Sequence, residues 1–346
     1  MSKIVVDGSY GEGGGQLLRY ASALSVVTGR TLEINNIRRG RSAPGLRPQH
    51  LCVLRSLRSL SDGYLVGDEV GSTKIEFVPK NVVSGCYMIE VGTAGSATLV
   101  LEAVLLACIN SPGRFVFEVS GGSDVMWSPG WDYFCNVFVA LLRRMGLQIK
   151  CDLLRRGYYP KGGGKMRLTC VVPERLTSLS LIKKQNYGCV EGIIHGWGVD
   201  DHVFSKISHY LSKKALKNNI GLNIRTDISQ SDSVGVGVSL WSHGSFGGIV
   251  GSSLVGRRGL SSETVAKTVF DELFFEMNGG FSVDYRGFDQ ILPFLAVTTG
   301  NSEVVIRTLS SHASSALWLI EQFFGPCCTI EENSNAGLHV KVIGQM

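Results

Sequence analysis

The sequence predicts an α/β (α+β) fold built from three internal repeats, with a smaller α/β unit inserted. Two observations carry this. The order glycine turn, helix, strand, loop, helix occurs three times. A stretch of about 100 residues with its own strands and helices separates the second occurrence from the third.

The first occurrence begins with the apolar strand Ile4-Val5-Val6 and the turn Asp7 to Gly15. Leu17, Tyr20, Ala21, Leu24 and Val27 then share one helical face, and Gly29 stops the helix. Thr31 to Asn35 alternates as a strand. A loop with Arg38, Arg39, Arg41 and Arg47 leads into a second helix at Pro48, a residue suited to a first helical position.

In the second occurrence, Gly92 to Ser96 opens a helix with Leu99, Glu102, Ala103 and Leu106. Arg114 to Val119 is a strand, and Trp131 to Met145 is the second helix. In the third, Gln290 to Val297 is helical, Glu303 to Arg307 is a strand, and a helix follows His312. The core is therefore read as residues 1–185 and 283–346, and the inserted unit as 186–282. Gly244 to Ile249 in that unit has hairpin character.

Composition narrows the class. Charged residues are 18% and apolar residues 44%, which fits a folded domain and argues against disorder. The 43 glycines are roughly 12% of the chain, against about 7% in average proteins, and they cluster at turns. Net charge of +5 is compatible with an anionic partner. Nine cysteines with no C-x-x-C pair read as reduced thiols and not as a zinc site. No signal peptide opens the chain, and the longest apolar run, Ala97 to Ile109, is too short to span a bilayer.

Several stretches have chemical potential. Gly11-Glu12-Gly13-Gly14-Gly15 precedes a helix, and exposed N–H groups at a helix start favour phosphate. It meets neither the dinucleotide pattern nor the P-loop pattern. A carboxylate inside such a turn, Glu12, suits a divalent ion beside phosphates. The four arginines of the 38–47 loop suit phosphate oxygens, but a solvated loop is the ordinary alternative. With no aromatic ladder beside them, they read as a grip on a nucleic-acid terminus. Arg156 to Gly164 is a second glycine turn, with two cations, and also reads as a hairpin. Of seven histidines, His50 follows the arginine loop and can reach a phosphate. His312 lies at a strand-to-helix corner, where a capping or core histidine is the ordinary reading.

Taken jointly, the motifs change that reading. Asp7-Gly8, Glu12 to Gln16 with Leu18-Arg19, Ile37 to His50, Ala94-Gly95-Ser96, Arg156 to Gly164, Asp289-Gln290 and His312 occur in register along nearly the whole chain. This set resembles the RNA 3′-terminal phosphate cyclase family, and its eukaryotic branch most. The resemblance implies three repeats, each a four-stranded sheet with two helices, plus the inserted unit. It also implies an ATP-dependent ligase that turns an RNA 3′-phosphate into a 2′,3′-cyclic phosphodiester through histidine–AMP and RNA–adenylate intermediates. His312 is then the nucleophile, and Glu12 lies by the triphosphate and a divalent cation, Mg²⁺ or Mn²⁺. Pro129, Asp289 and Gln290 line the adenosine pocket with Glu102 and Arg286. Arg19, Arg38, Arg41, Gln49 and His50 hold phosphates or the RNA end.

This chain departs from the family pattern at three places. The family has glutamine at Glu102, often tyrosine at Arg286, and different residues after His312, where this chain has Ala-Ser-Ser. They bear on nucleotide preference and rate. The eukaryotic look implies the nucleus, with the cytoplasm as the alternative. Two rival readings follow from the same resemblance. A non-catalytic cyclase-like factor in ribosome assembly lacks the histidine and the intact glycine loop. An enolpyruvyl transferase shares the repeats but not the histidine or the arginine loop.

Overall fold

The computed structural model describes residues 3–332 and 337–346. The first repeat comprises β1 (Ile4–Asp7), α1 (Gly15–Thr28), β2 (Leu32–Asn35), α2 (Pro48–Leu60), β3 (Tyr64–Val66) and β4 (Ile75–Val78). The second comprises β5 (Gly85–Glu90), α3 (Ala97–Cys108), β6 (Gly113–Gly121), a helix in three pieces, β7 (Gln148–Arg155) and β8 (Gly164–Val172). Those pieces are α4 (Trp131–Tyr133), a π-helical turn (Phe134–Phe138) and α5 (Val139–Arg144).

The third repeat begins with β9 (Ser180–Leu181). The chain then leaves the repeat for β10 (Cys189–Trp197), α6 (Asp201–Lys217), β11 (Gly221–Asp227), β12 (Gly235–His243), β13 (Ile249–Val255) and α7 (Ser262–Gly279). It returns as α8 (Tyr285–Ala296), β14 (Ser302–Ile306), α9 (Ser311–Phe324), β15 (Cys328–Glu332) and β16 (Leu338–Val342).

The four-stranded sheets are ordered β1-β2-β4-β3, β5-β6-β8-β7 and β9-β14-β16-β15. Each therefore runs first, second, fourth, third in its own repeat, with the first pair parallel and the others antiparallel. The fourth sheet, β11-β10-β12-β13, belongs to the inserted stretch. That stretch interrupts the third repeat after its first strand and does not stand between two repeats. The reason it is hard to read is local: β9 has only two residues, too few for a visible alternation.

Helices fill the space between the three repeat sheets. α1 packs against α3 and α9, and α8 against α9. Every residue of α3 from Ala97 to Cys108 except Leu99 is buried. α3 is a central helix with neighbours on all sides, which suits an almost wholly apolar sequence. The apolar residues of the three repeats form one continuous core, which also takes in Ile193, Trp241 and Ile249 of the inserted sheet, and the other apolar residues of that sheet with α6 and α7 form a second.

A buried charge cluster joins the inserted stretch to the second repeat. Arg156, 1% exposed, places its guanidinium 3.0 Å from Asp124, 2.9 Å from Asp132 and 2.7 Å from Asp227 of β11. His195 of β10 lies 3.4 Å from Asp124 by Nε2, and its Nδ1 is 2.8 Å from the Tyr158 hydroxyl. Burial holds the imidazole below its usual pKa, so the neutral ring accepts from Tyr158 and presents Nε2–H to Asp124. Among the described residues, Asp124, Asp132 and His195 are the one group spaced like metal ligands. The guanidinium already takes that role as their cation. Arg156→Ala would strand three carboxylates, and we expect a loss of about 3–5 kcal/mol in stability by urea unfolding. A change below about 1 kcal/mol would show that the cluster does not hold the two parts together.

Candidate active site

The site forms where the β1–α1 turn crosses the start of α9. Gly11 and Gly13 have φ of 59° and 55°, values that favour glycine. Asp7 organises the turn: its Oδ1 accepts from the Ser9 N–H at 3.0 Å and from Asn36 at 3.2 Å. Gly14 caps α1 without a side-chain acceptor, so the first N–H groups of that helix remain open to an anion.

Three contacts fasten this turn to α9. The Tyr10 ring stacks on Trp318 with centroids 3.7 Å apart. Gly11 passes so close to Ser315 that a Cβ there would strike its hydroxyl. The Ser311 hydroxyl donates to Glu12. His312, the second residue of α9, is thereby brought to Glu12, with Nε2 3.4 Å from Oε2. Its Nδ1 lies 3.0 Å from Gln16 Oε1. Donation from Nδ1–H to Gln16 leaves Nε2 with a free lone pair. The ring is about half exposed (49%), so a substrate can reach it. Arg41 extends from its loop to 3.7 Å from Glu12.

The other arginine-loop residues divide their roles. Arg38, itself at φ 54°, donates to the carbonyls of Ala43 at 2.6 Å and Gly45 at 3.0 Å, so it folds the loop. His50 Nδ1 accepts from the Arg47 N–H at 3.1 Å. Burial, with the charges of Arg19, Arg38 and Arg47, pushes this imidazole down to about 3. It is therefore neutral, with Nε2–H as a donor beside Gly15. Gln49 Oε1 accepts from the Ser96 N–H at 3.1 Å and joins the loop to α3.

Behind this rim lies a buried polar group. Glu102 on α3 is 2% exposed and accepts from the Tyr20 hydroxyl, which also lies 3.1 Å from the Asp289 carbonyl. Burial raises the Glu102 carboxyl to about 7, although the charge of Arg19 and the Tyr20 bond oppose this. Burial likewise raises Asp289 on α8 to about 7, against the bond from Ser310. Pro129 offers its carbonyl to Thr98 at 2.9 Å, one helical turn before Glu102. Arg286 is exposed at the start of α8, 3.2 Å from Glu272 of α7. Two buried atoms here have no hydrogen-bond partner among the described residues: Arg19 Nε and Gln290 Oε1. An unpaired donor and an unpaired acceptor in a buried polar region suit a ligand that supplies both.

The structure thus brings Glu12, Arg41 and His312 into contact. It gathers Arg19, Glu102 and Asp289 around Tyr20, and uses Arg38 and Gln49 to shape the rim. Sequence reasoning missed Gln16, Ser311, Tyr20, and the Tyr10–Trp318 stack as parts of the site. Gln16 was legible: it ends the Glu12 to Gln16 motif and opens α1 with Gly15. The stack was not, because its two rings are far apart in sequence.

The family model for RNA 3′-terminal phosphate cyclase matches residues 10–330. The chain belongs to the RNA 3′-terminal phosphate cyclase family. Three curated proteins carrying that name show how far the likeness extends. The one from Korarchaeum cryptofilum is 38% identical over 93% of this chain and 92% of its own length. That from Pyrococcus abyssi is 36% identical over 98% of both, and that from Methanosarcina barkeri 38% identical over 94% and 96%. The cyclase-family match spans the glycine turn, the arginine loop and His312 alike.

Glu102 permits a test through pH. Its folded pKa lies above the unfolded value of 4.5, so the folded state holds the extra proton between about pH 4.5 and about pH 7. Its contribution is least unfavourable below that window and most unfavourable above it. Glu102→Gln removes the charge penalty. We expect the variant to gain stability over wild type as pH rises through the window, by up to about 3 kcal/mol. Equal stabilities at every pH, by thermal or urea unfolding, would mean that Glu102 is not strained by burial.

Proposed function

We propose that this chain is an RNA 3′-terminal phosphate cyclase that uses ATP. The observation that carries the reading is the meeting of His312 and Glu12 at the start of two helices, α1 and α9, with Arg41 beside them. In this reading, His312 Nε2 attacks the α-phosphorus of ATP. The bond to the bridging oxygen breaks, and pyrophosphate leaves with that electron pair. Gln16 holds the imidazole by Nδ1, and the open N–H groups of α1 receive phosphate oxygens.

AMP then passes from nitrogen to an oxygen of the RNA 3′-phosphate. The vicinal 2′-hydroxyl attacks the phosphorus of that RNA 3′-phosphate, the bond to the adenylate oxygen breaks, AMP departs, and the hydroxyl proton is released. This ring closure is intramolecular, where effective molarities reach about 10⁵ M or more. Arg19, Arg41 and the Nε2–H of His50 neutralise or bind the phosphates that must meet. The buried pocket of Asp289, Gln290, Glu102 and Pro129 receives adenosine, with Arg286 at its edge. A protonated Glu102 or Asp289 can donate a hydrogen bond to a base.

A divalent cation fits beside Glu12 in one way. The turn offers a single carboxylate, so phosphate oxygens and water would complete the shell, as Mg²⁺ prefers. The ion would offset phosphate charge there. A nuclear location also belongs to this proposal, although the relatives compared above are archaeal. Fluorescence microscopy of the tagged chain in its own cells would check it.

Incubation with ATP labelled at the α-phosphate should leave acid-labile label on the wild-type chain. His312→Ala should carry none, and cyclisation should fall by at least about 10³-fold. Label on the mutant would move the nucleophile elsewhere. No label on wild type would favour a non-catalytic role, as in an assembly factor.

A further inference from the structure

The Arg156 to Gly164 motif faces two ways. Arg156 and Tyr158 point inward to the buried cluster, whereas Tyr159 and Lys161 stand at the tip of a tight turn. Gly162 closes the turn, its N–H donating to the Tyr158 carbonyl at 2.8 Å. The tip is clamped on both sides. Gly162 lies against the backbone of Thr93 and Ala94, where a Cβ would not fit. The Lys161 N–H donates to Ser233 at 3.1 Å, and Arg155 engages Asp232. Even so, the Tyr159 ring is 75% exposed.

A second ring rises from the same junction. The N–H groups of Ser123 and Asp124 both donate to the Gly157 carbonyl, at 3.0 and 3.2 Å. The loop they begin closes where the Trp131 N–H meets Asp124. At its tip Trp127 is 91% exposed, with φ of 68°. A left-handed backbone that sends a bulky ring into solvent does nothing for folding.

Both tips adjoin the grip on the RNA end. The Thr93–Ser96 turn that supports Gly162 also donates to Gln49, the neighbour of His50. The Trp127 loop continues into Pro129 at the adenosine pocket. A grip on the terminal phosphate leaves the nucleotides before it without an assigned contact.

We propose that Tyr159, Lys161 and Trp127 form a subsite for the nucleotides just 5′ of the RNA terminal phosphate. The rings stack on bases and the lysine meets a backbone phosphate. Stacking accepts any base, so this subsite contributes affinity without reading sequence. The inference rests on RNA being the substrate.

The test is the fluorescence anisotropy of a labelled, 3′-phosphorylated RNA of about ten nucleotides with the full chain, in the absence of ATP. Loss of either ring, in Trp127→Ala or Tyr159→Ala, should weaken binding roughly 5- to 100-fold. Phenylalanine at either position should restore most of it. Lys161→Ala should lower the slope of log affinity against log salt by about 0.7. An otherwise identical RNA without bases at the positions before the last should bind wild type weakly and show no further loss with the ring variants. Because both rings are exposed, all variants should melt with wild type. Equal affinity of wild type and the double ring variant for the intact RNA would overturn the subsite, as would a wild type that binds no RNA. Wild-type binding that depends on the rings, but without cyclisation when ATP is added, would count against the proposed reaction and not against the subsite. Rings that capture a protein partner while RNA affinity stays unchanged would also overturn it.

Discussion

The approach of the β1–α1 turn to α9 is the constraint on which the rest of the site depends. Gly11 must be glycine twice over: its φ is left-handed, and Ser315 occupies the space a side chain would need. That close approach lets Ser311 reach Glu12 and lets Gln16 reach His312. The stacked pair Tyr10 and Trp318 supplies the apolar contact that holds the two segments together. The first and third repeats thus meet through backbone proximity at one corner, and the chemistry is placed on that corner.

The second repeat contributes differently. Its helix α3 is buried on nearly every side, yet carries Glu102. A carboxyl in that position is disfavoured by burial and only partly compensated by Tyr20 and Arg19. Asp289 is in the same condition, and Arg19 Nε and Gln290 Oε1 have no hydrogen-bond partner among the described residues. Together these form a polar patch, incompletely satisfied within the chain, behind an accessible histidine. The Arg156 cluster is the contrasting case. Its guanidinium is enclosed by three carboxylates, so its charge is answered within the chain at the junction with the inserted stretch.

Much of the fold was legible because local signals were strong. Gly29, Pro48 and Ser96 mark helix ends by known backbone chemistry. The repeat was legible from element order. The point where the insert enters was not, because β9 is two residues long. For the site, the family resemblance carried by the joint motifs pointed to Glu12 and His312, which lie 300 residues apart in sequence. Spacing did not indicate that Arg38 folds its own loop, or that the Arg156 turn splits into an inward cation and an outward ring. Both follow from where the chain bends, which depends on tertiary packing.

The glycine turn and the start of α9 together form the proposed seat for a nucleoside triphosphate. A crystal structure with a non-hydrolysable ATP analogue tests it most directly. The α-phosphate should lie in line with His312 Nε2, the outer phosphates on the first N–H groups of α1 beside Glu12, and the base between Pro129 and Asp289. A nucleotide bound elsewhere, or one whose α-phosphate lies beyond the reach of that imidazole, would contradict it.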